Sequence, residues 1–248
     1  MNNGKVVLIT GGIGDIGTAI VKQLDQSYGA VVALDIASAD DTAQWLAELQ
    51  REGGRNILYR QMDVTDFDQC QHVINGVAAE LGHIDVLINN AGITRDAVFH
   101  RMTKQQWDEV LRVNLDGMFN VTRQVVDYMR AQESGRIVNI SSVNAQKGQF
   151  SQANYAASKA GVYGFTKSLA QELMVKNITV NSLSPGYVDT RLMAGIRPDI
   201  LDAIIASIPA KRLAKPEEIA WAVEFLIDEK SRYITGSNLS INGGLHMY

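Results

Sequence analysis

Residues 5–17, KVVLITGGIGDIG, lead directly into TAIVKQLDQSYG at residues 18–29, and the reading of this stretch decides the fold. Lys5 to Thr10 is a short apolar run that stops at glycines, the pattern of a parallel strand buried on both faces. The segment after Gly17 has helical periodicity and closes at Gly29. Strand, glycine turn and helix in that order form the phosphate-binding unit of a dinucleotide fold. The glycines let the backbone approach a pyrophosphate. The helix N-terminus supplies free N–H groups and the positive end of a dipole to hold it.

The alternation continues outward from this unit. AVVALD, residues 30–35, is a second strand ending in an acid. Asp35 stands where such folds place a ribose ligand, and a carboxylate there accepts hydrogen bonds from ribose hydroxyls and repels a 2′-phosphate. Its plainer role is to cap the following turn. Residues 40–53 and 67–82 read as helices, and 56–64 and 84–88 as strands. Asp63 ends the third strand and is placed to face an adenine edge. NNAG, residues 89–92, follows the fourth strand, and its small and amide residues suit a flat ligand or an ordinary turn. Residues 103–129 carry one long helical pattern with Asn114 inside it. Asparagine is a mediocre helix former and a buried amide needs partners, so a functional or water-binding role is expected. Further strands are read at 136–141, 178–183 and 238–241. Residues 187–208 read as a lid, and Lys215-Pro216 opens another helix. The whole predicts an α/β chain, one domain over residues 1–248. It is a Rossmann-type doubly wound parallel sheet with helices on both faces. Gly11, Asp35, Asp63, Gly92, Ser142 and Pro185 fall at the carboxyl ends of its strands.

Composition narrows the function. The chain has 248 residues, 46% of them hydrophobic, enough for one large core. The net charge is −4 without a lysine or arginine block, which argues against a nucleic-acid surface. No apolar run reaches the length of a membrane span. The single cysteine, Cys70, excludes an internal disulfide and reads as a small buried residue. With no signal-peptide layout at the N-terminus, the expectation is a cytoplasmic protein. His72, His83, His100 and His246 lack ligand spacing, so no metal is expected.

A reaction centre is read in SVNAQKGQFSQANYAASK, residues 142–159. Tyr155 and Lys159 are four apart in a helical pattern and share one face. A free phenol, with a pKa of about 10, is a poor acid–base catalyst at neutral pH, and an ammonium one turn away is expected to lower it. Ser142 ends an apolar run and can return to bind a substrate oxygen beside the tyrosine. Alone, a Tyr–Lys pair at this spacing is more often a buried tyrosine with a solvated lysine. The serine and the glycine unit favour catalysis.

TGGIGDIG, NNAG, Asn114, Ser142, YAASK and SPG, in that order and spacing, resemble the single-domain short-chain dehydrogenase/reductases over essentially the whole chain. The resemblance implies a homotetrameric oxidoreductase using NADH or NADPH. Tyr155 would be the acid and Ser142 the holder of the substrate oxygen. Lys159 would tune the tyrosine and hold the nicotinamide ribose, and Asn114 would hold a proton-relay water. The implied cofactor contacts are Gly11, Gly12, Ile13, Gly14, Asp15, Ile16 and Gly17 in the loop, Asp35, and Asp63 with Val64. They continue through Asn90, Ala91, Gly92 and Ile93, then Tyr155 and Lys159, and end with Pro185, Gly186, Tyr187 and Val188. NNAGITRDAVFHRMT, NISSVNAQKGQFSQANY, SPGYVDT and NGGLHMY narrow the resemblance to the acetoacetyl-CoA reductases of polyhydroxybutyrate synthesis. That implies an acyl-CoA substrate met by Asp96, Gln149, Phe150, Ser151, Gln152 and Arg197. Arg191 and Arg197 also suit coenzyme A phosphates. The alternatives are a 3-oxoacyl-[acyl-carrier-protein] reductase and a non-catalytic dinucleotide-binding sensor or scaffold.

Two departures stand out. Asp15 replaces the middle glycine of the family's first motif, T-G-x-x-x-G-x-G, and is expected to point away from the pyrophosphate as a residue of the helix start. The second strand ends LDIASADD without a basic residue, which favours NADH although relatives making the polymer precursor commonly use NADPH.

Overall fold

Val7 and Ile9 face one side of the first strand, Val6 and Leu8 the other, and all four are buried. A strand covered on both faces belongs in the middle of a sheet. The computed structural model describes residues 2–247. Met1 and Tyr248, the ends of the expected domain and the last residue of the NGGLHMY motif, lie outside the described residues.

The chain alternates as expected. The first half runs β1 (Asn2–Thr10), α1 (Asp15–Asp25), β2 (Tyr28–Asp35), α2 (Ala39–Arg51), β3 (Ile57–Gln61), α3 (Phe67–Leu81), β4 (Val86–Asn89), α4 (Lys104–Leu111) and α5 (Gly117–Gln132). The second half runs β5 (Gly135–Ile140), α6 (Val143–Lys147), α7 (Ala153–Leu173), β6 (Ile178–Pro185), α8 (Arg191–Ala194), α9 (Pro198–Ser207), α10 (Pro216–Ile227) and β7 (Asn238–Ile241). The seven strands form one sheet in the order β3-β2-β1-β4-β5-β6-β7, and every pairing is parallel. The order reverses between β1 and β4, which opens a crevice at their carboxyl ends. One face of the sheet packs Val7, Ile9, Val31 and Ile88 against Ile20 and Leu24 of α1 and Ile219 and Val223 of α10. The other packs Leu8, Val32 and Leu87 against Ile74 of α3, Val125 and Met129 of α5 and Leu173 of α7.

Two element boundaries differ from the sequence reading. The helix after the glycine turn ends at Asp25 and not at Gly29. Gly29 lies in β2, where β1 passes so close that a Cβ would stand 2.9 Å from Gly4 Cα. The long helical pattern at 103–129 is α4 and α5 joined by a π-helical turn, Arg112–Asp116. Such a turn widens the hydrogen-bond ladder, and it is centred on Asn114. Of the lid, α9 buries no residue. Its base is held by a bridge between Val188 and Ala214. Among the described residues no helix is long and apolar enough to cross a membrane.

The glycine turn is close-packed against α1. A Cβ on Gly17 would stand 2.1 Å from the Gly11 carbonyl oxygen, whereas one on Gly14 would meet it at 3.4 Å, an ordinary contact. Gly17→Ala is therefore expected to lower the thermal midpoint by several degrees, the cost of overpacking being about 1–3 kcal/mol. Gly14→Ala should cost less than half as much. Equal midpoints for the two variants in thermal unfolding would contradict the packing argument.

Candidate active site

The glycine turn is fixed from three sides before any ligand is considered. The Gly11 N–H donates to the Leu34 carbonyl at 2.8 Å. The Asn90 side-chain amide donates to the carbonyls of Thr10 and Gly11 at 3.1 and 3.0 Å. The Thr10 hydroxyl accepts the N–H groups of Asn90 and Ala91. Asp35 closes the third side, its carboxylate accepting the N–H of Ile13 at 3.1 Å and of Ile36 at 2.8 Å. The cap role and the ribose role are compatible, because a carboxylate has about four acceptor directions.

At the start of α1, Gly14 offers no side-chain cap. The N–H groups of Asp15, Ile16 and Gly17 have no acceptor among the described residues. They form the empty donor set that a pyrophosphate requires, so the turn fits the dinucleotide that the sequence implies. Asp15 turns its carboxylate onto Arg191, accepting from its backbone N–H and from Nε, each at 2.7 Å. Asp63 accepts the N–H of Thr65 at 2.8 Å and shapes the turn after β3. The Val64 carbonyl accepts from Asn120.

Tyr155 and Lys159 lie on one face of α7, and the ammonium is 5.9 Å from the centre of the phenol ring. Lys159 is buried and donates to the Ile140 carbonyl at 2.8 Å. Burial pushes its pKa down to about 8. Burial also pushes the Tyr155 phenol above its usual value. A hydrogen bond with Ser142 opposes that rise, and the charge of Asp96 adds to it. The sequence-based expectation that Lys159 lowers this pKa is not what the geometry gives: desolvation dominates and pushes it up.

Ser142 caps α6 and accepts the Asn144 N–H at 3.1 Å, and Tyr163 donates to the Ser142 carbonyl. Asn114 is buried in the π turn. Its Oδ1 accepts the Ile93 N–H at 2.8 Å, and Nδ2 donates to the Ile93 carbonyl and to Ser158. A Cβ on Gly92 would lie 3.3 Å from both Asn114 Oδ1 and Lys159 Nζ, a tight contact that places this glycine against both side chains.

The expected substrate residues divide. Gln152 donates to Asp96 at 2.8 Å and accepts from Asn144, and Ala97 donates to the carbonyl of Ser151, whose φ is 63°. Tyr187 donates to Gln149, which places the start of the lid beside this loop. Phe150 projects, 81% exposed. Arg197 pairs with Asp199 on the exposed lid and, among the described residues, makes no hydrogen bond or ion pair with the other expected site residues. Pro185 and Val188 are buried, and a Cβ on Gly186 would stand 2.9 Å from Asn242 Cα.

Sequence reasoning missed Thr10, Asn144, Ser158 and Tyr163. Thr10 and Asn144 lie at or just after strand ends, where polar residues could have marked them, whereas Ser158 and Tyr163 lie inside α7 with no such signal.

The sequence profile of the family described as short chain dehydrogenase matches residues 5–201. Acetoacetyl-CoA reductase of Cupriavidus necator is 49% identical over 98% of each chain. Acetoacetyl-CoA reductase of Paracoccus denitrificans is 50% identical over 97% of this chain and 98% of its own. A 3-oxoacyl-[acyl-carrier-protein] reductase of Thermotoga maritima is 44% identical over 98% of each.

The buried lysine gives a pH prediction. Its folded pKa of about 8 lies below the ordinary 10.5, so between those values the unfolded chain binds the extra proton. Stability from this group therefore rises as pH rises through about 8 toward 10. Urea unfolding at several pH values should show that rise in the wild type, and Lys159→Met should lack it. The same slope in both would contradict the assignment.

Proposed function

We propose that this chain, which belongs to the short-chain dehydrogenase family, reduces acetoacetyl-CoA to (R)-3-hydroxybutanoyl-CoA for polyhydroxybutyrate synthesis. The observation that carries the reading is a half-buried Tyr155 on the same face of α7 as buried Lys159, with Ser142 beside the phenol, in a sheet whose glycine turn offers free N–H donors. The two acetoacetyl-CoA reductases near half identity support the substrate.

The nicotinamide dinucleotide supplies a hydride to the 3-oxo carbon when bound. Tyr155 gives its phenolic proton to the carbonyl oxygen, so the ketone gains one hydride and one proton. A phenol whose pKa burial pushes up suits that direction. Ser142 holds the same oxygen and orients it toward the phenol. Lys159 would bind the nicotinamide ribose and, through a water held at Asn114, would return a proton to Tyr155. In this reading the first-motif glycines, Asp63, Val64, Asn90 to Ile93 and Pro185 to Val188 border the cofactor. Asp96, Gln149 to Gln152 and the lid border the acyl-CoA.

Asp35 decides between cofactors in this reading. It is followed by Asp40 and Asp41 with no basic residue between Asp35 and Asp41, so a 2′-phosphate would meet only negative charge. NADH is the preferred donor. We assign the chain as one catalytic unit, a cytoplasmic homotetramer. The exposed stack of Trp221 and Phe225 on α10 supports self-association.

Initial rates on acetoacetyl-CoA with NADH and with NADPH test both assignments. NADH is expected to be faster by at least tenfold, and Asp35→Ala is expected to narrow the ratio. An unchanged ratio in that variant overturns the role of Asp35. A rate on the acyl-carrier-protein thioester far above that on the CoA thioester overturns the substrate.

A further inference from the structure

We propose that Asp15 and Arg191 form a latch that seats the lid on the glycine turn, and that both are positioning residues for the cofactor's pyrophosphate. The inference rests on the dinucleotide reading above and concerns a departure from the family motif, Asp15 standing where that motif has glycine.

The geometry is two-pronged. Arg191, the first residue of α8, donates its backbone N–H to one carboxylate oxygen of Asp15 and its Nε to the other. A single exposed ion pair tolerates many lid positions, but a side-chain and a main-chain donor on one carboxylate fix the backbone of the lid itself. Among the described residues these are the only hydrogen bonds between residues 187–208 and residues 10–17. The lid is otherwise held at its base, where Asp189 donates to Ala214, Ala214 to Tyr187 and Tyr187 to Gln149, and by buried Val188, Met193 and Ile208. Beyond that, α9 buries nothing.

Charge gives the latch its use. A carboxylate at the first position of α1 competes with a pyrophosphate for the positive helix end. Bound to Arg191 it is locally neutralised. Nη1 and Nη2 of Arg191 have no acceptor among the described residues, and the side chain is 76% exposed. Ile13, Asp15 and Arg191 line one open groove of about 840 Å³ beside the turn. The latch thus holds an unspent donor fork at the edge of the anion site, of a kind suited to phosphate oxygens. It also sets the lid near that site before the cofactor arrives.

Asp15→Asn, Arg191→Met and the exchanged pair Asp15→Arg with Arg191→Asp test this in the full-length protein. The first readout is hydrogen exchange of residues 189–207 without ligand. The second is the dissociation constant of NADH, with ADP-ribose as the pyrophosphate probe and adenosine as the control. Each single variant is expected to speed lid exchange and to weaken NADH and ADP-ribose by roughly three- to tenfold, the scale of an exposed pair with one added hydrogen bond. Adenosine binding should not change. The exchanged pair should slow lid exchange only in part, because it restores the ion pair while an arginine at position 15 cannot accept the main-chain N–H of residue 191.

Tighter NADH binding by Asp15→Asn with unchanged lid exchange would overturn the proposal, because Asp15 would then only repel the pyrophosphate. So would additive effects in a double variant lacking both groups, since partners in one contact are not additive. Wild-type protein that binds neither NADH nor NADPH would overturn the dinucleotide reading beneath it. That outcome differs from failure of the latch, in which the wild type binds and the lid is indifferent to the variants.

Discussion

The close approach of α1 to the end of β1 is the constraint on which the rest of the site depends. No atom larger than hydrogen fits on Gly17 against the Gly11 carbonyl. Gly12 is equally restricted by Ala33 of β2, where a Cβ would stand 2.6 Å from the Ala33 Cβ. With these two positions bare, the helix N-terminus comes down onto the crevice between β1 and β4 and presents its free N–H groups there. Asn90 and Thr10 then tie the loop after β4 to the same turn. The anion site and the catalytic face of α7 are therefore fixed to one another through a few short polar contacts and not through a flexible linker.

Those contacts carry a cost that the fold must offset. Asn89, Asn114, Asn139, Ser158 and Lys159 are all buried, and an unpaired polar group at such depth costs about 1–3 kcal/mol. Asn89 donates to Asn139 and Thr122, and Asn139 to Thr166. The chain thus builds a polar seam through the centre of the sheet and roofs it with apolar packing on both faces. Lys159 is the expensive member. Its burial lowers the affinity for a proton, and the same desolvation pushes the pKa of the neighbouring phenol up.

The sheet was legible because its signals were redundant. Several apolar runs ended at glycines or acids, and most helices began near Pro, Thr or Asp, so neighbouring elements limited any local error. The π turn at Asn114 was not legible, because its residues keep helical periodicity on both sides and differ only in a backbone ladder. Spacing put the tyrosine and lysine on one helix face, and it took the serine and the glycine unit to favour catalysis over plain packing. The sign of the phenol's shift could not, because it depends on how deeply the folded chain encloses the pair. Asp15 was visible as an anomaly, but its partner lies 176 residues away and only the fold brings it near. Arg197 shows the opposite case: a plausible charge on a lid that the fold leaves paired with its neighbour Asp199.

Turnover of acetoacetyl-CoA by Tyr155→Phe, beside the wild type and with NADH binding measured in parallel, tests the central claim most directly. Removing one hydroxyl leaves the ring and its packing in place. The account predicts unaltered NADH affinity and a rate reduced by roughly 10²- to 10⁴-fold, the span of a lost general acid. A variant that binds NADH and retains the wild-type rate would contradict it, and the proton would have to come from another group.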